Sequence, residues 1–108
     1  MSYALVEDIP ASWDRYCAIA QSIRERPPGL LLHVAGPTDE GFRIIEVWES
    51  EAAWRAFRGR FEGALDAADP DLLPRTAIRD LQGTHLVAGD HWPRVEALPS
   101  RQREGDWT

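Results

Sequence analysis

The sequence predicts an α+β domain in which two helices cover one face of an antiparallel sheet, and three observations predict it. Apolar runs of strand length alternate with two stretches of helical periodicity, in the order strand-helix-strand-strand-helix-strand. A turn-rich connection, Gly36-Pro37-Thr38-Asp39-Glu40-Gly41, joins the two middle strand patterns, which is the signature of a hairpin. At 108 residues the chain has room for one core and not for two.

Each element has its own local reason. Residues 3–8 form a short apolar run that reads as a first strand, ended by Pro10. Ser12 is placed to cap a helix that starts near Trp13 and extends to Arg26, with Trp13, Tyr16, Cys17, Ala20 and Ile23 at helical spacing. Pro27-Pro28-Gly29 stops it. Leu30 to Ala35 is a continuous apolar strand, and Phe42 to Glu49 is its hairpin partner. Ser50 caps a second helix, in which Ala53, Trp54, Phe57, Phe61, Ala64 and Leu65 make one apolar stripe with Arg and Glu on the other side. Residues 69–74 read as a loop. A last strand starts near Thr76 and runs through Leu81, with an extension toward Ala88 after a break at Gly83. Residues 1–88 thus make the domain, and 89–108 an extended or disordered C-terminal tail.

Composition limits the chemistry. The net charge of −6 argues against a phosphate-backbone partner, so no nucleic acid is expected. No apolar run is long enough to span a bilayer and no signal pattern opens the chain, so a cytoplasmic protein without a membrane partner is expected. All twelve basic residues are arginine, and without lysine there is no Schiff-base nucleophile and no covalently held pyridoxal phosphate. One cysteine, Cys17, permits neither an internal disulfide nor a multi-thiolate site, and it reads as a packing residue. Histidines at 33, 85 and 91 lack ligand spacing, so no metal is expected; no phosphate loop or nucleophile elbow calls for a cofactor.

The hairpin sorts side chains into two sets. If Gly36 pairs with Gly41, one face carries Leu30, Leu32, Val34, Arg43, Ile45 and Val47, almost purely aliphatic. The other carries Leu31, His33, Ala35, Phe42, Ile44, Glu46 and Trp48. The aliphatic face is expected under the helices, and the mixed face toward a second copy of the sheet. In that register His33 and Glu46 are diagonal neighbours. A carboxylate beside an imidazole fixes its orientation and raises its basicity, as a general acid or base requires. Trp48 and Phe42 would supply a flat apolar wall for a ligand. A lone histidine on an apolar strand also serves commonly as a hydrogen-bonded structural residue, and Glu46 would equally pair with an arginine across an interface.

From Gly29 to Ser50, through Leu-Leu-Leu-His-Val-Ala-Gly-Pro and Phe-Arg-Ile-Ile-Glu-Val-Trp-Glu, the chain resembles the dimeric α+β barrel superfamily. It is most similar to the small bacterial proteins related to antibiotic-biosynthesis monooxygenases, over about residues 3–88. The resemblance implies a ferredoxin-like βαββαβ sheet with both helices on one face, and a homodimer. It implies a hydrophobic small-molecule ligand and a range of activities: cofactor-free oxygenation, polyketide cyclisation, lactone isomerisation and haem degradation. Quinol-oxidising and haem-degrading members use an asparagine on an early strand, and this chain has none. Haem degraders also place a histidine late in the second helix, and residues 53–68 contain none.

The expectation is therefore a cofactor-independent enzyme of bacterial secondary metabolism acting on a polyketide-like molecule by cyclisation, isomerisation or monooxygenation. The lean is toward proton transfer. His33 and Glu46 are the catalytic candidates; Trp48, Phe42, Leu31, Ile44, Tyr3 and His85 are candidates for the substrate wall. Glu7 and Asp8 would add carboxylates to the pocket, and Arg43 or Arg79 would bind an anionic group. The alternative is a non-catalytic dimer that binds a small molecule.

Overall fold

In the computed structural model, which describes residues 2–22, 26–68, 76–87 and 89–90, the chain runs β1 (Tyr3–Ile9), α1 (Trp13–Ser22), β2 (Leu30–Thr38), β3 (Gly41–Trp48), α2 (Glu51–Ala68) and β4 (Ala77–Asp80). The strands form one antiparallel sheet in the order β2-β3-β1-β4, compatible with a ferredoxin-like fold. Among the described residues no helix is long and apolar enough to cross a membrane.

Both helices begin as their serines dictate. Ser12 Oγ accepts from the Arg15 amide at 3.2 Å and Ser50 Oγ from the Ala53 amide at 3.1 Å, each satisfying an amide that the first turn leaves unpaired. Helix α1 is described as far as Ser22, and Arg26, the expected last residue, lies outside the helix immediately before Pro27, where the proline ring disfavours helical backbone. Gly29 turns the chain into β2 at φ +86°, and a β-carbon there would stand 2.7 Å from that of Ala53.

The hairpin turns later than expected. Thr38 pairs with Gly41, leaving Asp39-Glu40 as the loop, so Pro37 sits within β2 opposite Phe42. A proline is tolerated there because β2 is an edge strand and needs no outward-pointing N–H. The shift is two residues, so the two sets stay as sorted from Leu32 onward, but the β-bulge between Leu30 and Leu32 puts Leu30, expected on the aliphatic face, opposite Trp48 and against the core below α2. It brings His33 directly opposite Glu46 instead of diagonal to it. Strand β4 is shorter than expected, although the Leu81 amide extends the ladder by one bond to the Ala4 carbonyl at 3.0 Å.

The faces are assigned the other way round from the expectation. The mixed set lies under the helices: Phe42 and Ile44 pack with Ile9, Tyr16 and Cys17 below α1, and Trp48 packs with Leu5 and Trp54 below α2. The aliphatic set lies on the bare face, where Val34 is 49% and Ile45 41% exposed. The physical reason is in the helices. Tyr16 and Arg58, both buried, point at the sheet, where His33 and Glu7 give them the partners that buried polar groups require. An aliphatic face would leave both without them.

The loop at 69–74, Ile23, His91, Trp92 and the tail from 91 onward lie outside the described residues, as do the side chains of Phe61, Ala64 and Leu65.

Candidate functional site

Strand pairing and helix placement assemble one continuous chain of polar contacts. His33, from the edge strand, and Glu46, from β3, meet because their backbones are paired, with Nδ1 2.7 Å from Oε2. Trp48, two residues further along the same face, donates its indole N–H to the other carboxylate oxygen, Oε1, at 3.1 Å. Tyr16 descends from α1 to place its hydroxyl 2.6 Å from His33 Nε2. The run is thus Tyr16–His33–Glu46–Trp48.

Its electrostatics follow from burial. Glu46 is 6% exposed and Tyr16 8% exposed, while the His33 side chain keeps 32% of its surface at the open edge of β2. Burial, with the Glu46 charge nearby, pushes the Tyr16 phenol up to about 12, so it stays protonated at neutral pH and donates to Nε2. The tautomer assigned by this network carries its proton on Nδ1, which donates to the carboxylate. His33 is therefore held between an acceptor and a donor, with its basic nitrogen turned toward Tyr16.

A second buried pair lies alongside. Arg58 donates to Glu7 at 2.5 Å, with both side chains almost fully enclosed, and to Glu62 at 2.8 Å. Burial outweighs the arginine and raises the Glu7 carboxyl above its usual value near 4.5, and the Glu46 charge adds to the rise. Cys17, enclosed beneath α1, is shifted up by burial and held as a thiol, which suits packing rather than nucleophilic attack.

Of the other residues singled out, Phe42 (1% exposed), Ile44 and Trp48 (0%) are core walls around the polar chain. Leu31 sits at a β-bulge in β2 and is exposed. Tyr3 lies toward β4, its ring tilted against that of Trp54 and its hydroxyl donating to Asp80 at 3.0 Å. Its phenol is also pushed up to about 12, by burial and then by Asp80. His85 follows β4 at the edge of the sheet opposite β2 and is exposed; neither it nor Tyr3 joins His33. Asp8 and Arg43 pair on the bare face at 2.6 Å, and the arginine holds the Asp8 carboxyl below its ordinary value. Arg79 is on that same face, opposite Val6.

Tyr16 and Arg58 are the polar members that sequence reasoning missed. Tyr16 entered only as an apolar position in a helical stripe, yet a buried phenol needs a partner for its hydroxyl. Arg58 sits four residues after Trp54, within the stripe and not behind it, which is the spacing that identifies it.

A groove of about 430 Å³ opens at the start of α1, between residues 10–13 and the hairpin end at 37–41. Trp13 lines it and also stacks on Tyr16, with ring centroids 4.6 Å apart and planes 9° from parallel. Among the described residues no cluster of histidine, cysteine and carboxylate side chains could hold a metal ion.

The chain matches no protein-family model and no curated protein.

Proposed function

We propose that the protein is a cofactor-independent acid/base enzyme of bacterial secondary metabolism that acts on a hydrophobic, polyketide-like molecule, by cyclisation or isomerisation, as a homodimer of the dimeric α+β barrel type. The observation that carries this reading is the Tyr16–His33–Glu46 chain, a base with a fixed tautomer, a buried carboxylate behind it and a phenol in front. Substrate approaches from the β2 edge, where His33 is accessible. It displaces the Tyr16 hydroxyl from Nε2 and gives up a proton there. Glu46 stabilises the resulting imidazolium, and the freed Tyr16 hydroxyl donates to the oxyanion that forms on the substrate. His33 then returns the proton at a second position.

The homodimer is supported by the bare aliphatic face of Val6, Leu32, Val34, Ile45 and Val47, which a second sheet would cover. The lean toward proton transfer over monooxygenation rests on the absent asparagine.

One observation favours the alternative, a non-catalytic dimer that binds a small molecule: Phe42 and Trp48 are fully enclosed, so the wall assigned to the substrate is already filled by the protein's own packing. A metabolite comparison separates the readings. In the native host lacking the gene, an intermediate should accumulate that wild-type protein clears and His33→Ala does not. Full rescue by His33→Ala, with no intermediate, would leave the binding reading standing. Clearance that stops when oxygen is excluded would establish monooxygenation instead.

A further inference from the structure

We propose that Glu7 is a positioning residue for the acid/base site: by holding Arg58, with Glu62 as a second anchor, it leaves the charge of Glu46 to act on His33 and so sets the basicity of that imidazole. This role rests on the proton-transfer reading of His33, and it gives the buried Glu7–Arg58 pair a part that the reaction scheme leaves unassigned.

Three observations carry it. The first is register. Glu7 lies opposite Ile44 and Glu46 opposite Leu5, so the two carboxylates are diagonal neighbours on the face that the helices cover. Arg58 on α2 directs Nη1 to Glu7 and Nε to Glu62, while the two oxygens of Glu46 meet His33 Nδ1 and the Trp48 indole N–H. The second is charge. Among the described residues the buried charged side chains are Glu7, Glu46 and Arg58, two carboxylates against one guanidinium. A proton on His33 supplies the missing positive charge. The third is that the carboxylates feel each other: burial raises the Glu7 carboxyl, Arg58 opposes that rise, and the Glu46 charge adds to it.

The titratable groups facing the site come from every neighbouring element. Tyr16 and Cys17 from α1 are both raised by burial and stay neutral at pH 7. Arg58 and half-exposed Glu62 come from α2, Glu7 from β1, His33 from β2 and Glu46 from β3. Replacing Glu7 by Gln leaves Arg58 and Glu46 to cancel, so an imidazolium gains less from the interior. Glu7 and His33 stand two strands apart, about 10 Å, where a unit charge at an effective dielectric of about 20 changes proton affinity roughly tenfold.

The test is the titration of the His33 ring by long-range proton–nitrogen NMR on the isotopically labelled full chain, without substrate. The His33 signals are those missing from His33→Gln, and His85, exposed at the far edge of the sheet, is the internal control. Glu7→Gln should lower the proton affinity of His33 about tenfold, a move of about one pH unit toward acid, with His85 unmoved. Glu7→Asp, which keeps the charge, should stay within about threefold of wild type. Glu7→Gln combined with Arg58→Met restores the excess of one carboxylate and should return the midpoint to within about twofold of wild type. An unmoved midpoint in Glu7→Gln overturns the proposal. So does a fall that persists in the double variant, which marks Glu7 as structural only. Should Glu7→Gln fail to fold, Glu62→Gln must move His33 in the same direction by about twofold, since solvent screens that carboxylate, and no movement overturns the proposal. Failure here leaves His33 and Glu46 able to pass the metabolite test by themselves. A failed metabolite test, in turn, leaves a measured shift of the His33 midpoint standing.

Discussion

Replacing Arg58 by Met removes the charged hydrogen-bond partner, at 2.5 Å, of the Glu7 carboxylate, which is 2% exposed, and the consequence depends on pH. In wild type, Glu7 already holds its proton more tightly folded than unfolded, because burial raises its carboxyl and Arg58 only partly opposes that rise. A raised folded value means that stability is fully present below about 4.5 and is lost as pH rises through the folded value. Arg58→Met deletes the opposing charge, so the folded value rises further and the window widens. At pH 7 the orphaned carboxylate should cost about 3–5 kcal/mol, the range for breaking a buried ion pair from one side. Lowering the pH from 7 to 5 should recover up to about 2.7 kcal/mol, at about 1.4 kcal/mol per pH unit for a single proton. Glu7→Leu together with Arg58→Met should return stability to the wild-type range or above it, since apolar replacements of a buried pair are neutral or stabilising. Urea unfolding at pH 5 and 7, at one fixed protein concentration, measures all of this. A cost for Arg58→Met below about 1 kcal/mol, or one equal at the two pH values, would refute the burial of this pair in solution.

The phenols offer a direct titration: Tyr3 and Tyr16 should both ionise near pH 12 in the folded protein, and nearer 10 after denaturation. Their stabilisation is therefore lost as pH rises from 10 to 12, and ultraviolet difference absorbance showing either phenol ionising near 10 in the native state would contradict its burial. Val34→Asp combined with Ile45→Asp should convert a micromolar dimer to monomer in sedimentation equilibrium while leaving helical circular dichroism intact; a monomeric wild type would sink the dimer proposal. Gly29→Ala should destabilise by about 1–3 kcal/mol in thermal or urea unfolding, because the new methyl meets Ala53 in a backbone conformation that L-residues avoid; an unchanged midpoint would show that the turn relaxes freely.

Much of this architecture is legible in the sequence for local reasons. Ser12 and Ser50 announce the helix starts, Pro27-Pro28 limits the first helix, and alternation along β3, and along β2 from Leu32 onward, separates the two sets of facing side chains. Register was less legible, because either glycine of Gly36-Pro-Thr-Asp-Glu-Gly41 suits a turn and the choice depends on which strand occupies the edge. The site was half legible. His33 and Glu46 announce themselves by chemistry and spacing, whereas Tyr16 is visible only once α1 is docked over β2. Which face the helices cover was not legible from hydrophobicity, since the aliphatic set is the more uniform of the two. What decides it is satisfaction of polar groups. Glu7 and Glu46 on one face need Arg58, His33 and Trp48 as partners, while leucine and valine need only a surface to meet.

That inversion ties the polar chain to the bare face. His33 lies between Leu32 and Val34, and Glu46 between Ile45 and Val47, so the residues that set the 2.7 Å contact alternate with the exposed aliphatic ones on the same two strands. Strand β2 has a neighbour on one side only, and its position relative to β3 fixes both the imidazole–carboxylate contact and the reach to Tyr16. In the proposed dimer, a partner covering Val34 and Ile45 would hold that edge strand from beneath without touching the histidine. Charges placed at Val34 and Ile45 therefore test more than association. If the polar chain depends on the edge being held, the same variant should bring the Tyr16 phenol back toward its ordinary value of 10, with Tyr3 as the internal control.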